Sequence, residues 1–267
     1  MSDQFDLPLF NNRPVADNAE IVRSFLGWEH PLPTLAVEHL TRGWTAHTLD
    51  LSDKLVVVPT RQAGRRLRSS LALHASARNT AVLPPAVVTP DFLLSSNCLP
   101  ALGQVPATRA EVAAAWADAL LSANLDDFRH VFPIDPGERS LSWALSSADD
   151  LIGVQTLLGD AGLTMQDGAA TMAAEGLEPQ RWHELARLEQ ITRHFFSSHK
   201  RMDPQEVRRQ AASEGVLPPE VDTIIILGVP DPPPLFCRAL RHHGSKLRCE
   251  IVIHAPASLA ESFDEFG

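Results

Sequence analysis

The sequence predicts an α/β protein in which both ends of the chain form one parallel sheet and an all-helical subdomain is inserted between them. Short strand-like runs occur near the two ends, at residues 55–58 and 86–88 and again at residues 223–227 and 250–253. Between Pro100 and Gly215, alanine- and leucine-rich stretches of helical periodicity replace these runs. A helical block flanked by strand-rich ends is most simply explained by one sheet with an insertion.

The first part of the chain predicts a leader, a helix and a buried strand. Residues 1–20 are polar and rich in proline and asparagine, so we interpret them as a leader. Residues 21–40 contain two apolar stretches, and Pro33 predicts the start of a helix in the second. Residues 55–58 are a continuous Leu-Val run, which is typical of a strand buried on both faces of a parallel sheet.

The helix after this strand is strongly basic. Arg61, Arg65 and Arg68 recur at helical spacing on one face, whereas Arg66 lies on another. Residues 55–90 contain five arginines and no acidic residue. Because α/β sheets bind ligands at their carboxyl edge and helix N-termini favour anions, the pattern predicts an anion site. A solvated amphipathic helix is an equally consistent interpretation of this stretch alone.

The next segments predict one more strand and then a series of helices. Residues 86–88 form a short strand that Thr89 and Pro90 end, followed by a turn of helix. A capping-box pattern at residues 108–111 starts a helix that continues to about Ala123. Further helices are predicted at residues 140–159, at residues 179–199 and from the cap Asp203 to Gly215.

The last part of the chain predicts a strand, a helix and a strand at residues 223–227, 235–243 and 250–253. Strands joined in this way lie parallel in one sheet. We therefore divide the chain into an α/β subdomain and a helical insertion. The α/β subdomain comprises residues 21–98 and 216–267, and the insertion comprises residues 99–215.

Composition limits the possible functions. The chain has 267 residues, and its 23 basic and 33 acidic residues give a formal charge of −10, so any contact with nucleic acid must be local. Cys98, Cys237 and Cys249 lie far apart without CxxC spacing, which argues against a disulfide framework or a zinc site and favours a reducing cytoplasm. No segment approaches the ~20 apolar residues of a membrane span, so no membrane association is predicted.

The usual motifs of nucleotide, metal and hydrolase chemistry are missing from the sequence. No GxxxxGK[ST] phosphate loop occurs, and Asp231, which follows a predicted strand, lies in a proline-rich stretch that is typical of a turn. The histidines show no HExxH spacing, and no GxSxG elbow occurs. We expect the five tryptophans to fill the core or subdomain contacts. A small-molecule α/β enzyme is therefore the weakest hypothesis.

A family resemblance rests on the order of several segments. They are LVVVPTRQAGRRL, AVVTPDFLL, ATRAEVAAAWADALL, DLIGVQTLLGDAGL, RWHELARLEQITRHFF, VDTIIILGVPDPPP and EIVIHAP. In this order they resemble the N-terminal helicase-like region of AddB-type subunits of helicase–nuclease complexes, which process double-strand DNA breaks. The resemblance extends from about residue 21 to the end of the chain. The strand that ends in V-P-T-R before a basic helix is its most specific feature.

The resemblance implies a P-loop-NTPase-like sheet, a degenerate superfamily 1 helicase-like domain with 1A-like and 1B-like parts. It implies a non-catalytic region, without a bound cofactor or metal, that helps to hold single-stranded DNA for DNA repair and recombination. An AddA-like helicase subunit would be the partner. The PD-(D/E)XK exonuclease domain of the parent protein would lie beyond Gly267.

Residues can be carried over by position from this family. Thr60, Arg61 and Gln62 match the turn after the DNA-facing strand. Residues 89–92 match a second DNA-facing turn, with Thr89 and Phe92 as its candidate contacts. Arg65 and Arg68 extend the basic face of the helix and would neutralise phosphates. The side chains differ from those that read the Chi hotspot in some members of the family. The alternative hypothesis is an interaction scaffold, in which the fold docks a partner helicase subunit without contacting DNA.

Overall fold

A computed structural model describes residues 21–45, 47–99 and 103–267. The predicted leader, residues 1–20, lies outside the described residues. The strands are β1 (Ile21–Phe25), β2 (Thr48–Asp50), β3 (Lys54–Val57), β4 (Ala81–Leu83), β5 (Ala86–Val88), β6 (Val105–Pro106), β7 (Arg201–Met202), β8 (Thr223–Leu227) and β9 (Arg248–Ile253). The α-helices are α1 (Leu32–Leu40), α2 (Arg61–Ser76), α3 (Arg109–Ser122), α4 (Leu141–Asp160), α5 (Met165–Glu175), α6 (Pro179–Ser198), α7 (Pro204–Glu214) and α8 (Pro234–Gly244).

Both ends of the chain form one parallel five-stranded sheet, in the order β1-β9-β8-β3-β5. The pairing of β3 with β8, in which Leu55 lies opposite Ile224, joins the first part of the chain to the last. The predicted strand–helix–strand unit is confirmed, because β8 and β9 are adjacent and parallel. Residues 55–58 are all buried, as a strand covered on both faces requires. The α/β class and the shared parallel sheet are therefore confirmed.

Helices cover both faces of this sheet. On one face, α1 and α2 pack against alternate strand residues such as Val56, Ile225 and Val252. On the other face, Phe236 and Leu240 of α8 pack against the strand residues that alternate with these three. The alternation follows from the period of two in a strand, which sends neighbouring side chains to opposite faces.

The helical part between β5 and β8 has its own core. α3, α4, α5 and α6 pack around Trp116, which is fully buried. The short parallel pair β6 and β7 lies where the chain enters and leaves this bundle. α7 follows β7 and packs on α8, and its Ala212 belongs to the core of the α/β part. Thus the last helix of the predicted 99–215 insertion contacts the sheet layer.

Several elements differ from the sequence-based expectation. The strand β1 was not predicted, because Arg23 and Ser24 interrupt its apolar run and it becomes a strand only by pairing with β9 at the edge of the sheet. The helix α5 was also missed, and α1 begins at Leu32, with Pro33 as its second residue. Trp28 corrects the expectation for the tryptophans, since it is 61% exposed.

A buried histidine makes stability depend on pH. His243 is 2% exposed, and its Nε2 atom has no hydrogen-bond partner among the residues that the structure describes. Burial lowers its pKa to about 4 from the ordinary 6.5. The neutral ring is favoured in the fold. The contribution of His243 to stability is therefore fully present above pH 6.5 and is lost as the pH falls towards 4. Because of this group, we expect the free energy of unfolding, measured in urea, to be about 2 kcal/mol lower at pH 5 than at pH 7.5.

The variant His243→Leu tests this expectation, since it fills the site with an apolar side chain and removes the titrating ring. Its unfolding free energy should change much less between pH 7.5 and pH 5 than that of the wild type. The same pH dependence in both proteins would show that other groups cause the loss.

Candidate nucleic-acid interface

The carboxyl ends of β3 and β5 bring two predicted DNA-facing turns side by side. These strands are parallel neighbours, and the backbone N–H of Val58 donates to the carbonyl of Val88 at 2.9 Å. Thr60 and Thr89, which follow the two strands, therefore both lie at the same edge of the sheet. In parallel α/β sheets, this is the edge at which ligands bind.

Helix α2 starts at this edge and lies close to the sheet. Thr60 caps it, because its Oγ1 atom accepts a hydrogen bond from the N–H of Ala63 at 3.1 Å. Gly64 permits the close approach: a Cβ atom there would lie 3.0 Å from Cγ1 of Val87. The first two turns of α2 are thus held directly over β3 and β5.

A cavity of about 470 Å³ lies between α2 and the segment after β5, and we call it the basic cavity. Arg61, Arg65 and Arg68 form one wall. The opposite wall is formed by Thr89, Asp91, Phe92, Ser95 and Asn97. Five of the seven side chains predicted to contact DNA therefore meet in one place.

The arginines of the basic cavity have no partner within the part of the chain that the structure describes. Arg61, Arg65 and Arg68 are exposed, and among the described residues none of them forms an ion pair or a hydrogen bond through its side chain. By contrast, Arg208 is held by Asp160 at 2.6 Å. Asp91 is the only carboxylate among the described residues of the lining, so the cavity keeps a net positive charge and can accept an anion.

The second wall is fixed by its backbone. Phe92 is half-buried in a short 3₁₀ helix, Pro90–Phe92, and its carbonyl accepts a hydrogen bond from the hydroxyl of Ser95 at 2.7 Å. Leu93 and Leu94 anchor the segment in the core. The ring of Phe92 is thus a fixed apolar surface beside the cations. Ser95 and Asn97 were not predicted, because no motif marks them and only the folding of this segment brings them to the cavity.

Thr60 and Gln62 lie on the other side of α2. They line a smaller cavity of about 200 Å³ between α1 and α2, which we call the apolar cavity, together with Arg66. Gln62 and Arg66 are four residues apart and share one helix face, whereas Arg61 and Arg65 share another. The structure therefore divides the predicted contact residues between two cavities.

No protein-family model matches the sequence, and no curated protein matches it either.

The turn after β1 does not present backbone donors as a phosphate loop does. The backbone N–H of Gly27 donates a hydrogen bond to the carbonyl of Ala255 at 2.9 Å. Helix α1 begins at residues 31–33 with the sequence Pro-Leu-Pro, and a proline has no N–H to offer. The next two amides, of Thr34 and Leu35, bond the carbonyl of Pro31. In addition, Asp231 is exposed with φ +46°, a conformation typical of a turn residue.

A polar cluster around the buried carboxylate of Glu250 links β1, α1 and β9. Ser24 and Nε2 of His39 both contact Oε1 of Glu250, the histidine at 3.0 Å. These contacts lower the pKa of Glu250 to about 2, and the hydrogen bond with His39 has the largest effect. Because serine contacts the carboxylate and not the histidine, this is not the arrangement that activates a nucleophile. Within residues 21–45, 47–99 and 103–267, no group of three or more His, Cys, Asp or Glu could hold a metal ion.

A helix can cross a bilayer only if it is long and continuously apolar. None of the helices in residues 21–45, 47–99 and 103–267 meets this requirement.

Proposed function

We propose that this chain is the helicase-like N-terminal region of an AddB-type nuclease subunit and that it holds single-stranded DNA during double-strand break repair. In this role the region is non-catalytic, and an AddA-like helicase subunit is its partner. The observation that carries the proposal is the basic cavity, where Arg61, Arg65 and Arg68 face Thr89 and Phe92 and have no carboxylate partner among the described residues.

The spacing of the arginines suits a nucleic acid strand. With a rise of 1.5 Å per residue, Arg61 and Arg68 lie ~10 Å apart along the axis of α2. One strand of a nucleic acid presents about two or three phosphates over such a distance. The half-buried ring of Phe92 on the opposite wall offers a surface on which a base can stack. Backbone neutralisation and stacking together give affinity that depends little on base sequence.

The sheet supports the helicase-like part of the proposal. We interpret it as a degenerate P-loop-NTPase-like sheet, with the turn after β1 and the start of α1 in the position of the phosphate loop. The prolines and the occupied amides at this position favour a region that does not hydrolyse nucleotide. The bundle α3–α6, between β5 and β8, would be the inserted 1B-like part.

The proposal is tested by fluorescence anisotropy with a labelled single-stranded oligonucleotide, titrated with the protein at several salt concentrations. We expect saturable binding. The logarithm of the binding constant should fall linearly with the logarithm of the salt concentration. Oligonucleotides of different sequence should bind similarly. Absence of binding at low salt would contradict the proposal.

The second candidate is a scaffold that docks a partner helicase subunit without contacting DNA. It is favoured by the overall charge of −10 and by Asp91, which reduces the positive charge of the basic cavity. Here the arginines would face carboxylates of the partner. This alternative would be selected by two results together. The protein would not bind DNA, and it would still capture the partner helicase subunit after charge reversal at Arg61 and Arg65.

A further inference from the structure

The apolar cavity lies at the topological switch point of the sheet. From β3 the chain crosses through α2 to β5, and from β8 it crosses through α8 to β9 in the opposite direction. The two crossover helices lie on opposite faces of the sheet. The switch therefore occurs between the neighbouring strands β3 and β8. In open α/β sheets, ligands bind in the crevice outside the carboxyl ends of the strands at such a point.

The lining of this cavity comes from the elements that meet at the switch point. Val58 and Pro59 follow β3, and Leu227 ends β8. Leu32 from α1 and Leu67 from α2 add to a mainly apolar wall. A pocket that is largely apolar, with a few convergent polar groups, is the usual form of a small-molecule site.

The volume limits the size of the ligand. The cavity measures about 200 Å³, and an apolar cavity of about 150 Å³ is known to accept a benzene ring. One ring or two fused rings would fit, whereas a nucleotide would not. The site is thus distinct from the basic cavity on the other side of α2.

The polar groups define the chemistry of the rest of the ligand. Arg66 is exposed at the rim, and in the described part of the chain its guanidinium pairs with no carboxylate. Gln62 lies one helical turn before it and can donate through its amide. The hydroxyl of Thr60 already accepts the cap hydrogen bond. A guanidinium beside an apolar cavity recognises a carboxylate in a bidentate manner.

We propose that the apolar cavity binds a small aromatic carboxylate, with its ring between α1 and α2 and its carboxylate on Arg66. This site does not depend on the DNA-binding function, because Arg65 and Arg66 are neighbours in sequence but line different cavities.

Isothermal titration calorimetry of the full chain with indole-3-acetate tests the proposal, with the neutral indole-3-acetamide as a comparison. We expect a dissociation constant on the order of 1 mM or lower for the carboxylate. Arg66→Ala should weaken its binding about tenfold or more and leave the amide nearly unchanged. Arg66→Lys should restore part of the affinity.

Two further variants test whether the ligand occupies the apolar cavity. Arg65→Ala, a change of equal charge on the adjacent residue, should bind indole-3-acetate like the wild type. Ala63→Leu, which places extra carbon atoms in the cavity, should abolish binding of both ligands while circular dichroism shows an unchanged fold. Absence of saturable binding to the wild type, or equal losses in Arg65→Ala and Arg66→Ala, would overturn the proposal. None of these results depends on whether the protein binds DNA.

Discussion

Replacing Arg61 and Arg65 together by alanine is expected to weaken binding of single-stranded DNA about 25-fold at 0.1 M salt. Each phosphate contact on a single strand contributes about 0.7 to the slope of log affinity against log salt, so two contacts contribute about 1.4. If binding at 1 M salt is unchanged, that slope difference gives the 25-fold loss at 0.1 M. Anisotropy titrations of wild type and variant across a salt series measure both quantities.

The matched control for this double variant is Arg66→Ala. It removes one arginine from the same helix, but Arg66 lines the apolar cavity and not the basic one. Its salt slope should stay close to that of the wild type. The basic cavity would be excluded as the DNA site if the double variant kept the wild-type slope. If Arg66→Ala flattened the slope by half as much as the double variant, each arginine would have the same effect. That result would indicate a general effect of charge on α2.

Replacing Gln155 by leucine is expected to destabilise the protein by about 3–5 kcal/mol. Gln155 is buried, and its amide nitrogen lies 3.4 Å from Oε1 of Glu189 and 3.2 Å from Oδ2 of Asp203. Its carbonyl accepts the indole N–H of Trp116 at 3.3 Å. The variant therefore removes a hydrogen-bond donor from two buried carboxylates and leaves the indole N–H unpaired. Urea unfolding followed by circular dichroism measures the loss.

The loss should also depend on pH. Burial raises the pKa of both Glu189 and Asp203, so their charged forms are already disfavoured in the fold. Without the amide donor these pKa values should rise further. A raised carboxyl pKa costs stability in full above the raised pKa, and this cost disappears as the pH falls to the pKa of the unfolded chain. The difference between Gln155→Leu and wild type should therefore be largest at neutral pH and should shrink towards pH 5.

Gln190→Leu is the control for this prediction. Gln190 is exposed on α6, so the same substitution there should change stability by no more than about 0.5 kcal/mol. A similar cost at both positions would mean that the buried hydrogen bonds of Gln155 do not contribute to stability.

Local patterns predicted the elements that carry their own signals. The capping box at Thr108 and the cap at Asp203 placed α3 and α7 within a residue or two of their observed ends. The run at residues 55–58 predicted a strand buried on both faces, since only such a strand lacks alternating polar residues. The strand β1 carries no such signal, because its pairing with β9 involves residues more than two hundred positions away.

The sequence by itself determined the α/β class, the shared parallel sheet and the basic face of α2, because each follows from residue types at short spacing. Only the tertiary structure decided which cavity each of these arginines lines. It brought Asp91, Ser95 and Asn97 opposite Arg61 and Arg65, and it turned Arg66 towards the switch point between β3 and β8. The physical reason is that a cavity is formed by residues distant in sequence, and their approach depends on strand order and helix packing.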